Sequence, residues 1–231
     1  MLNPPYNPVY VNAPDDPNLQ VFSFETADSY ANGGTLYINN ENPNYEGTLI
    51  YYKIYNSLTA MGSETSSISS ANSDFSSNGA NRAISLGYKQ INYKNEAAER
   101  SEFFTIGKKN TDTKYTIRLI DQNPYKAGFY EVGTVLEGEK ENKEKYIKKP
   151  YRNLGSKIKN FDFFNDEYND NLPEDGEEDV LVSTNSDEGV DDVVDGVWYV
   201  YAYAVSYGIN DDFNAIYSDL LPLGYLKIED K

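Results

Sequence analysis

The sequence of 231 residues contains no cysteine and no histidine. Without these residues the chain cannot form a disulfide, a Ser-His-Asp or Cys-His catalytic group, or the usual structural zinc site. Haem and iron–sulfur sites that rely on either residue are excluded as well. No stretch approaches the ~18 consecutive apolar residues of a membrane-spanning helix. The chemistry that remains uses carboxylate, lysine, tyrosine, serine or threonine side chains.

Positive charge is also scarce. Twenty Lys and Arg residues stand against thirty-seven Asp and Glu residues, which gives a net charge of −17. This charge argues against nucleic acid and anionic membrane surfaces as partners. Residues 1–159 hold eighteen basic and eighteen acidic residues, so the net charge lies entirely in residues 160–231. Within that part, residues 162–195 hold fourteen acidic residues and no basic one.

Tyrosine is abundant, with twenty-two residues, and it favours the half-buried surfaces of β-sheets. The composition therefore predicts an all-β protein with long polar loops. Residues 48–56 and 197–207 are the clearest strand candidates. Both faces of 197–207 are apolar, which predicts a central strand that is covered on both sides. Further strands are predicted at 19–25, 113–120, 128–135 and 220–228.

Three segments read as irregular chain. Residues 1–18 contain five prolines and are predicted to form an extended tether. Fourteen of the twenty residues at 62–81 are Ser, Thr, Asn or Gly, which predicts a disordered loop. The acidic residues 162–195 predict a second disordered loop. Residues 93–104 have weak helical spacing, which leaves a short helix open there.

Four segments, in this order, resemble the fibronectin type III-like β-sandwich. Residues 21–24 look like its opening strands, 49–55 like strand C, 198–206 like strand F, and Tyr217-Ser218-Asp219 like the entry into strand G. A sandwich of this type has roughly 100 residues. The resemblance therefore implies a fibronectin type III/immunoglobulin-like sandwich made by residues 19–231 as a single elaborated domain, with a long central insertion at 59–195.

The polar, Pro-rich opening is similar to the mature part of bacterial surface lipoproteins, which follows an acylated cysteine. This resemblance implies an exported protein at the cell surface or in the periplasm, held by a lipid anchor upstream of this sequence. The sandwich family implies adhesion, scaffolding or ligand display and has no catalytic residues to carry over. We expect a non-enzymatic binding or structural protein whose partner is a protein or a glycan, and which contacts the membrane only through that anchor.

The acidic run contains the candidate metal ligands. Clustered carboxylates suit calcium, which takes ~6–8 oxygen ligands. The match to a calcium loop fails at two positions, because Ser183 stands at the first ligand and Glu188 at the required glycine. A solvated acidic loop is the alternative. Calcium is the one cofactor that the sequence suggests, and its candidate ligands are Asp187, Asp191, Asp192 and Asp195.

Loop aromatics are the candidate ligand-binding residues: Tyr125, Phe129, Tyr130, Tyr146 and Tyr151. A carbohydrate-binding module or lectin, with or without calcium, is the alternative function. In that case Tyr199, Tyr201 and Tyr203 would form an exposed platform on which sugar rings stack. Burial of the three rings as ordinary cross-strand pairs is the favoured reading, because the other face of their strand is apolar too.

Basic residues are concentrated just before the acidic run, with eight basic and four acidic residues at 137–159. This segment either packs against the acidic run or forms a separate patch for an acidic glycan. Exposed ion pairs contribute only ~0–1 kcal/mol each, so we do not expect them to organise the fold. Paired carboxylates could in principle hydrolyse a glycoside. None is flanked by the apolar surroundings that raise a carboxyl pKa, which argues against an enzyme.

Overall fold

A computed structural model describes residues 2–11, 20–29, 38–72, 77–97, 100–121, 126–133, 144–155, 157–163, 171–187 and 189–229. Strands account for 44% of the structure and helices for 14%, which confirms the predicted all-β class. Within the described residues, no helix has the length and apolarity that crossing a membrane requires. The described strands, in chain order, are β1 (Tyr6–Val11), β2 (Val21–Glu25), β3 (Tyr45–Tyr55), β4 (Lys89–Gln90), β5 (Asn92–Asn95), β6 (Arg100–Phe103), β7 (Thr105–Gly107), β8 (Lys114–Arg118), β9 (Gly128–Val132), β10 (Glu144–Lys148), β11 (Pro150–Tyr151), β12 (Val180–Leu181), β13 (Val197–Ile209), β14 (Ala215–Tyr217) and β15 (Leu221–Glu229).

The first sheet is five-stranded and antiparallel, in the order β1-β2-β8-β9-β10. Phe22 and Phe24 of β2 lie two residues apart on the same face of this sheet, and both are buried in the core. The predicted tether enters this sheet, because β1 pairs with β2. Leu2 is buried as well. The described part of residues 1–18 is therefore an integral edge of the sheet, and its prolines suit an edge strand.

The second sheet is seven-stranded, and β13 lies at its centre. β3 pairs antiparallel with one side of β13, while β14 and β15 pair with the other side. β4, β7 and β12 add short ladders to β3. This arrangement confirms the central strand predicted at 197–207. Pro222 stands at the bulge in the β13–β15 ladder, where its missing N–H is tolerated.

Two hydrophobic cores lie on opposite faces of this central sheet. One face packs against the five-stranded sheet, with Phe24 and Ile117 facing Ile54 and Val200. The other face carries Leu49, Tyr51 and Val205 and packs against two helices, α1 (Leu58–Ala71) and α2 (Asn78–Ser85). The molecule thus has three layers, sheet on sheet on helix pair, because a sheet with two apolar faces must be covered on both.

The prediction of a disordered loop at 62–81 was wrong for most of that segment, because α1 and α2 occupy it. α1 begins after Ser57, whose Oγ accepts a hydrogen bond from the Ala60 N–H at 3.1 Å. Met61 and Ile68 lie on one helix face and are buried against the tyrosines of the central sheet. Two buried apolar residues and an N-cap are sufficient for α1 to form, because packing against the central sheet supplies most of its stability.

Outside the helix pair, the expected insertion at 59–195 supplies strands to both large sheets. β8 and β9 belong to the five-stranded sheet, and β4 and β7 belong to the central sheet. In the region where a short helix was left open, β5 and β6 pair as antiparallel strands, and β11 completes this third, three-stranded sheet. Of the acidic segment predicted to be disordered, residues 171–187 are ordered around β12, which runs parallel to β3.

Candidate functional site

The outer edges of two sheets border one groove, which we call the inter-sheet groove. Its volume is about 370 Å³, and it lies between β7 of the central sheet and β10 of the five-stranded sheet. Phe104, Ile106 and Tyr115 form an apolar floor and are each less than 7% exposed. Such a concave surface with an apolar floor and a few polar groups at its rim is the usual form of a binding site.

The five candidate aromatics are placed differently from one another. Phe129 is fully buried, so its assignment to ligand contact is corrected: it stacks on Phe104 with ring centroids 3.8 Å apart. Tyr146 lines the groove and is 52% exposed, and Tyr130 packs edge-on against it at 5.7 Å. Tyr151 lies on β11, in the three-stranded sheet. Tyr125 lies outside the described residues.

Three charged side chains stand at the rim of the inter-sheet groove. Lys109 Nζ lies 2.5 Å from Glu131 Oε2, and the ammonium also sits over the Tyr115 ring at 5.6 Å. Burial opposes the charge of Lys109, but its hydrogen bonds to Glu131 and Tyr115, together with the charges of these groups, outweigh burial and raise the pKa of Lys109. Lys145 pairs across the strands with Glu131. The rim therefore carries two positive charges and one negative charge.

The tyrosines of β13 do not form an exposed platform. Tyr199 and Tyr203 are 7% and 4% exposed, and Tyr201 is half-buried. The helix pair covers this face, and Tyr88 contacts Tyr203 at a centroid distance of 5.4 Å. The favoured reading of the sequence, burial in cross-strand pairs, holds for the rings at both ends of the row.

The four candidate aspartates are not gathered into one group. Asp191 and Asp195 are exposed, and Asp187 Oδ2 accepts the Thr184 N–H at 2.7 Å within a local turn. In the part of the chain that the structure describes, no three acidic side chains lie close enough together to hold a metal ion. Asp192 instead reaches α1, where it accepts hydrogen bonds from Ser57 Oγ at 2.6 Å and from the Thr59 N–H at 2.8 Å. Calcium binding stays a prediction.

We expect Asp192→Ala to lower the free energy of unfolding by about 1 kcal/mol, since a carboxylate at a helix N-terminus stabilises the helix. Although burial opposes it, hydrogen bonding from Ser57 and from the Thr59 N–H lowers the pKa of Asp192 below its usual 3.8. The contribution is therefore present above about pH 4 and fades as the pH falls through the lowered pKa. Urea unfolding at pH 7 and at pH 3 measures this difference.

Asp191→Ala is the matched control for that variant, because Asp191 is the exposed neighbour. Its effect is expected within about 0.5 kcal/mol. The loss in Asp192→Ala should be the same in calcium and in chelator. A loss that appears only in calcium would contradict the capping role and move Asp192 to a metal site.

Two charged side chains with no exposed surface, Arg152 and Asp179, lie at the centre of what we call the Arg152 cluster, which also contains Glu177, Lys159 and Tyr52. The Arg152 guanidinium grips both oxygens of Asp179, at 2.9 and 2.7 Å, and both side chains are fully buried. Arg152 also contacts Glu177, which lies 2.9 Å from Lys159. The Tyr52 hydroxyl donates to Asp179 Oδ2 at 2.6 Å.

This cluster joins the basic segment to the acidic run. Burial opposes the charge on Glu177, but hydrogen bonds from Lys159 and Arg152 outweigh it and lower the pKa of Glu177. Burial and the charge of Asp179 raise the pKa of Tyr52, so its hydroxyl stays a neutral donor. The two positive and two negative members of the cluster pair with one another, which indicates a structural role. The opposite charges of the two neighbouring segments indicated, from the sequence, that the segments could pair. The sequence did not show which residues would pair.

The chain matches no protein-family model, no curated protein and no solved structure.

Proposed function

We propose that this chain is a non-enzymatic binding protein of a bacterial cell surface, and that its inter-sheet groove receives an extended, acidic segment of a partner protein. The observation that carries the proposal is the pair of sheet edges that border one groove with an apolar floor. An extended peptide binds such an edge by adding a strand, and pockets along the groove select its alternate side chains.

The edge of β7 supports strand addition. In the described part of the chain β7 pairs only with β3, and β10 pairs only with β9. The Lys108 N–H donates to the Glu46 carbonyl, and Ile106 pairs with Thr48 two residues earlier. Because bonded and non-bonded pairs alternate in an antiparallel ladder, the backbone groups of Thr105 and Gly107 point away from β3. Both residues line the groove.

Local charge favours an acidic partner. The described segments that contain β7 to β10, residues 105–121, 126–133 and 144–149, hold eight basic and four acidic residues, although the whole chain carries −17. Attraction of this kind raises association rates and selects the sign of the partner. The lining includes a single carboxylate, Glu131, which is engaged with Lys109. This supports binding rather than carboxylate-pair catalysis, which needs two carboxyl groups in one cleft.

The strand order supports a fibronectin type III/immunoglobulin-like sandwich as the finer fold. In that class the strands named A, B and E form one sheet, and C, F and G form the other. β1, β2 and β8 are adjacent in the first sheet here, while β3, β13 and β15 are adjacent in the second. We propose that the helix pair and the three-stranded sheet are elaborations of this sandwich, displayed from the cell surface through an anchor upstream of this sequence.

A seven-residue peptide that alternates Glu with Val should bind the wild-type protein, with its valines on the groove floor and its carboxylates at Lys145. We expect Lys145→Glu to weaken this binding about tenfold, because it reverses the charge that faces the peptide. Fluorescence anisotropy of the labelled peptide at low ionic strength measures the affinity. Added salt should also weaken the binding, since exposed charges are screened.

Two matched ligands make this test specific. A Lys-Val peptide of the same length should bind more weakly than the Glu-Val peptide. A Glu-Val peptide methylated at alternate backbone nitrogens keeps its side chains but cannot add as a strand, so it should not bind. Equal binding of the methylated peptide contradicts strand addition. Binding of a polyanionic glycan, with none of the peptide, would instead assign the basic patch to an acidic glycan.

A further inference from the structure

A second concave surface lies on the three-stranded sheet of β5, β6 and β11. We call it the small-sheet groove. Its volume is about 460 Å³, and its lining includes Asn92 of β5, four consecutive residues of β6, and Asn153 beyond β11. The sequence drew no attention to this surface, because residues 93–104 were left open as a short helix.

An exposed aromatic ring dominates the floor of this groove. Phe103 stands on β6, and its side chain is 63% exposed. Phe103 pairs with Asn92 across the two strands, and Ser101 lies on the same face two residues earlier. One face of the small sheet thus presents a phenyl ring beside an amide and a hydroxyl.

The amide of Asn92 is incompletely satisfied. Asn92 is 3% exposed, and its Nδ2 donates to Ser101 Oγ at 2.6 Å. Among the described residues, its Oδ1 has no hydrogen-bond partner. Buried acceptors in native proteins are normally paired, so an unpaired one at a groove wall indicates a missing donor. A ligand hydroxyl in the groove would supply that donor.

The other amide of the groove is held rigidly. Asn153 Nδ2 donates to the Gln90 carbonyl at 3.1 Å, and the Asn153 N–H donates to the Tyr52 hydroxyl at 2.6 Å. These two hydrogen bonds hold Asn153 beside Tyr52, a member of the Arg152 cluster. Because Asn153 is already held in place, ligand binding costs no conformational entropy at this residue, and Asn153 is suited to orient a polar ligand.

The charges at the rim of the small-sheet groove satisfy each other. Glu102 accepts hydrogen bonds from the Tyr93 hydroxyl, from Asn95 Nδ2 and from Arg100 Nε. These donors, the Tyr93 hydroxyl first, lower the pKa of Glu102 to about 2. Asn92, Ser101 and Phe103 lie on the opposite face of these two strands and are uncharged. The groove is thus matched to a neutral ligand with one apolar face and several hydroxyls.

We propose that the small-sheet groove binds a neutral hexopyranose, whose ring stacks on Phe103 while its hydroxyls bond Asn92 and Asn153. The C–H groups on one face of a pyranose carry partial positive charge and fit the negative face of a phenyl ring. Amide and hydroxyl side chains supply both donors and acceptors to sugar hydroxyls. This site is independent of the inter-sheet groove and of the peptide proposed there.

The test is a titration of the ¹⁵N-labelled protein with the methyl glycosides of glucose, galactose, mannose and N-acetylglucosamine, followed by NMR. At least one glycoside should shift the Asn92 side-chain amide and the backbone amides of β6, with a dissociation constant on the order of 1 mM. Phe103→Ala should weaken that binding about tenfold, and Asn92→Ala by a similar factor.

Two controls keep this test specific. Phe213→Ala removes another exposed phenyl ring, 91% exposed in a distant turn, and should leave the binding unchanged. Methyl glucuronide should bind no more tightly than the neutral glycosides, because Arg100, the positive side chain in the lining, is already paired with Glu102. The proposal is overturned if none of the four glycosides shifts these resonances, if Phe103→Ala binds as wild type does, or if the glucuronide binds more tightly. Lys145→Glu should leave sugar binding unchanged, which separates this result from the peptide test.

Discussion

An Arg152→Met variant is expected to lose about 3–5 kcal/mol of its free energy of unfolding, the cost of removing one partner from a buried ion pair. Arg152 and Asp179 are both fully buried, and the guanidinium holds both carboxylate oxygens. Methionine fills a similar volume but leaves the Asp179 carboxylate without its counter-ion in a low-dielectric site. Urea unfolding at neutral pH measures the loss as a lower midpoint with an unchanged slope.

Arg100→Met is the matched control for this prediction. Arg100 also pairs with a carboxylate, that of Glu102, but its side chain is 71% exposed. Its removal should cost no more than about 1 kcal/mol, as exposed pairs do. The double variant Arg152→Met with Asp179→Leu should recover part of the loss, because no charge is then left buried alone. If Arg152→Met lost no more free energy of unfolding than Arg100→Met, this result would show that water reaches the cluster.

The central sheet was predictable because its signal is local. β13 has apolar residues on both faces over thirteen residues, and β3 has a similar run over eleven. Such a pattern can be satisfied only by a strand covered on both sides. The same pattern implied a second covering layer, and the helix pair is that layer.

The helix α1 was missed because its own sequence carries a weak signal. Met61 and Ile68 are the buried apolar residues of α1, seven positions apart in a serine-rich segment. Composition alone therefore favoured disorder, whereas the tyrosine-rich face of the central sheet provides the surface that orders the helix. Ser57, a good N-cap at the end of a strand, was the available local clue.

The Arg152 cluster and the two grooves depend on contacts between distant parts of the chain. Arg152 and Asp179 are twenty-seven residues apart, and Tyr52 reaches Asp179 across one hundred and twenty-seven. The charge counts predicted that the basic and acidic segments could pair, but as ion pairs exposed to solvent. Nothing in the sequence selects which two charges are buried, since that depends on how β12 pairs with β3.

Phe129→Ala is expected to cost about 3–5 kcal/mol, the range for truncating a buried phenylalanine. The ring is fully buried and lies parallel to that of Phe104, with an interplanar angle of 8°. Removing it leaves a cavity beneath the inter-sheet groove, between the five-stranded sheet and the loop that leads into β7. Thermal and urea unfolding of the same variant should both report the loss.

Two further variants separate this structural role from the ligand contact that the sequence suggested. Phe213→Ala removes an exposed ring and should change stability by no more than about 0.5 kcal/mol. Tyr146→Ala removes a ring that is 52% exposed at the groove and should weaken the Glu-Val peptide while leaving the fold stable. If Phe129→Ala instead kept its stability and lost the peptide, Phe129 would belong to the site after all. The depth of Phe129 in the core requires the opposite, because a side chain without exposed surface can reach a ligand only through the rings that cover it.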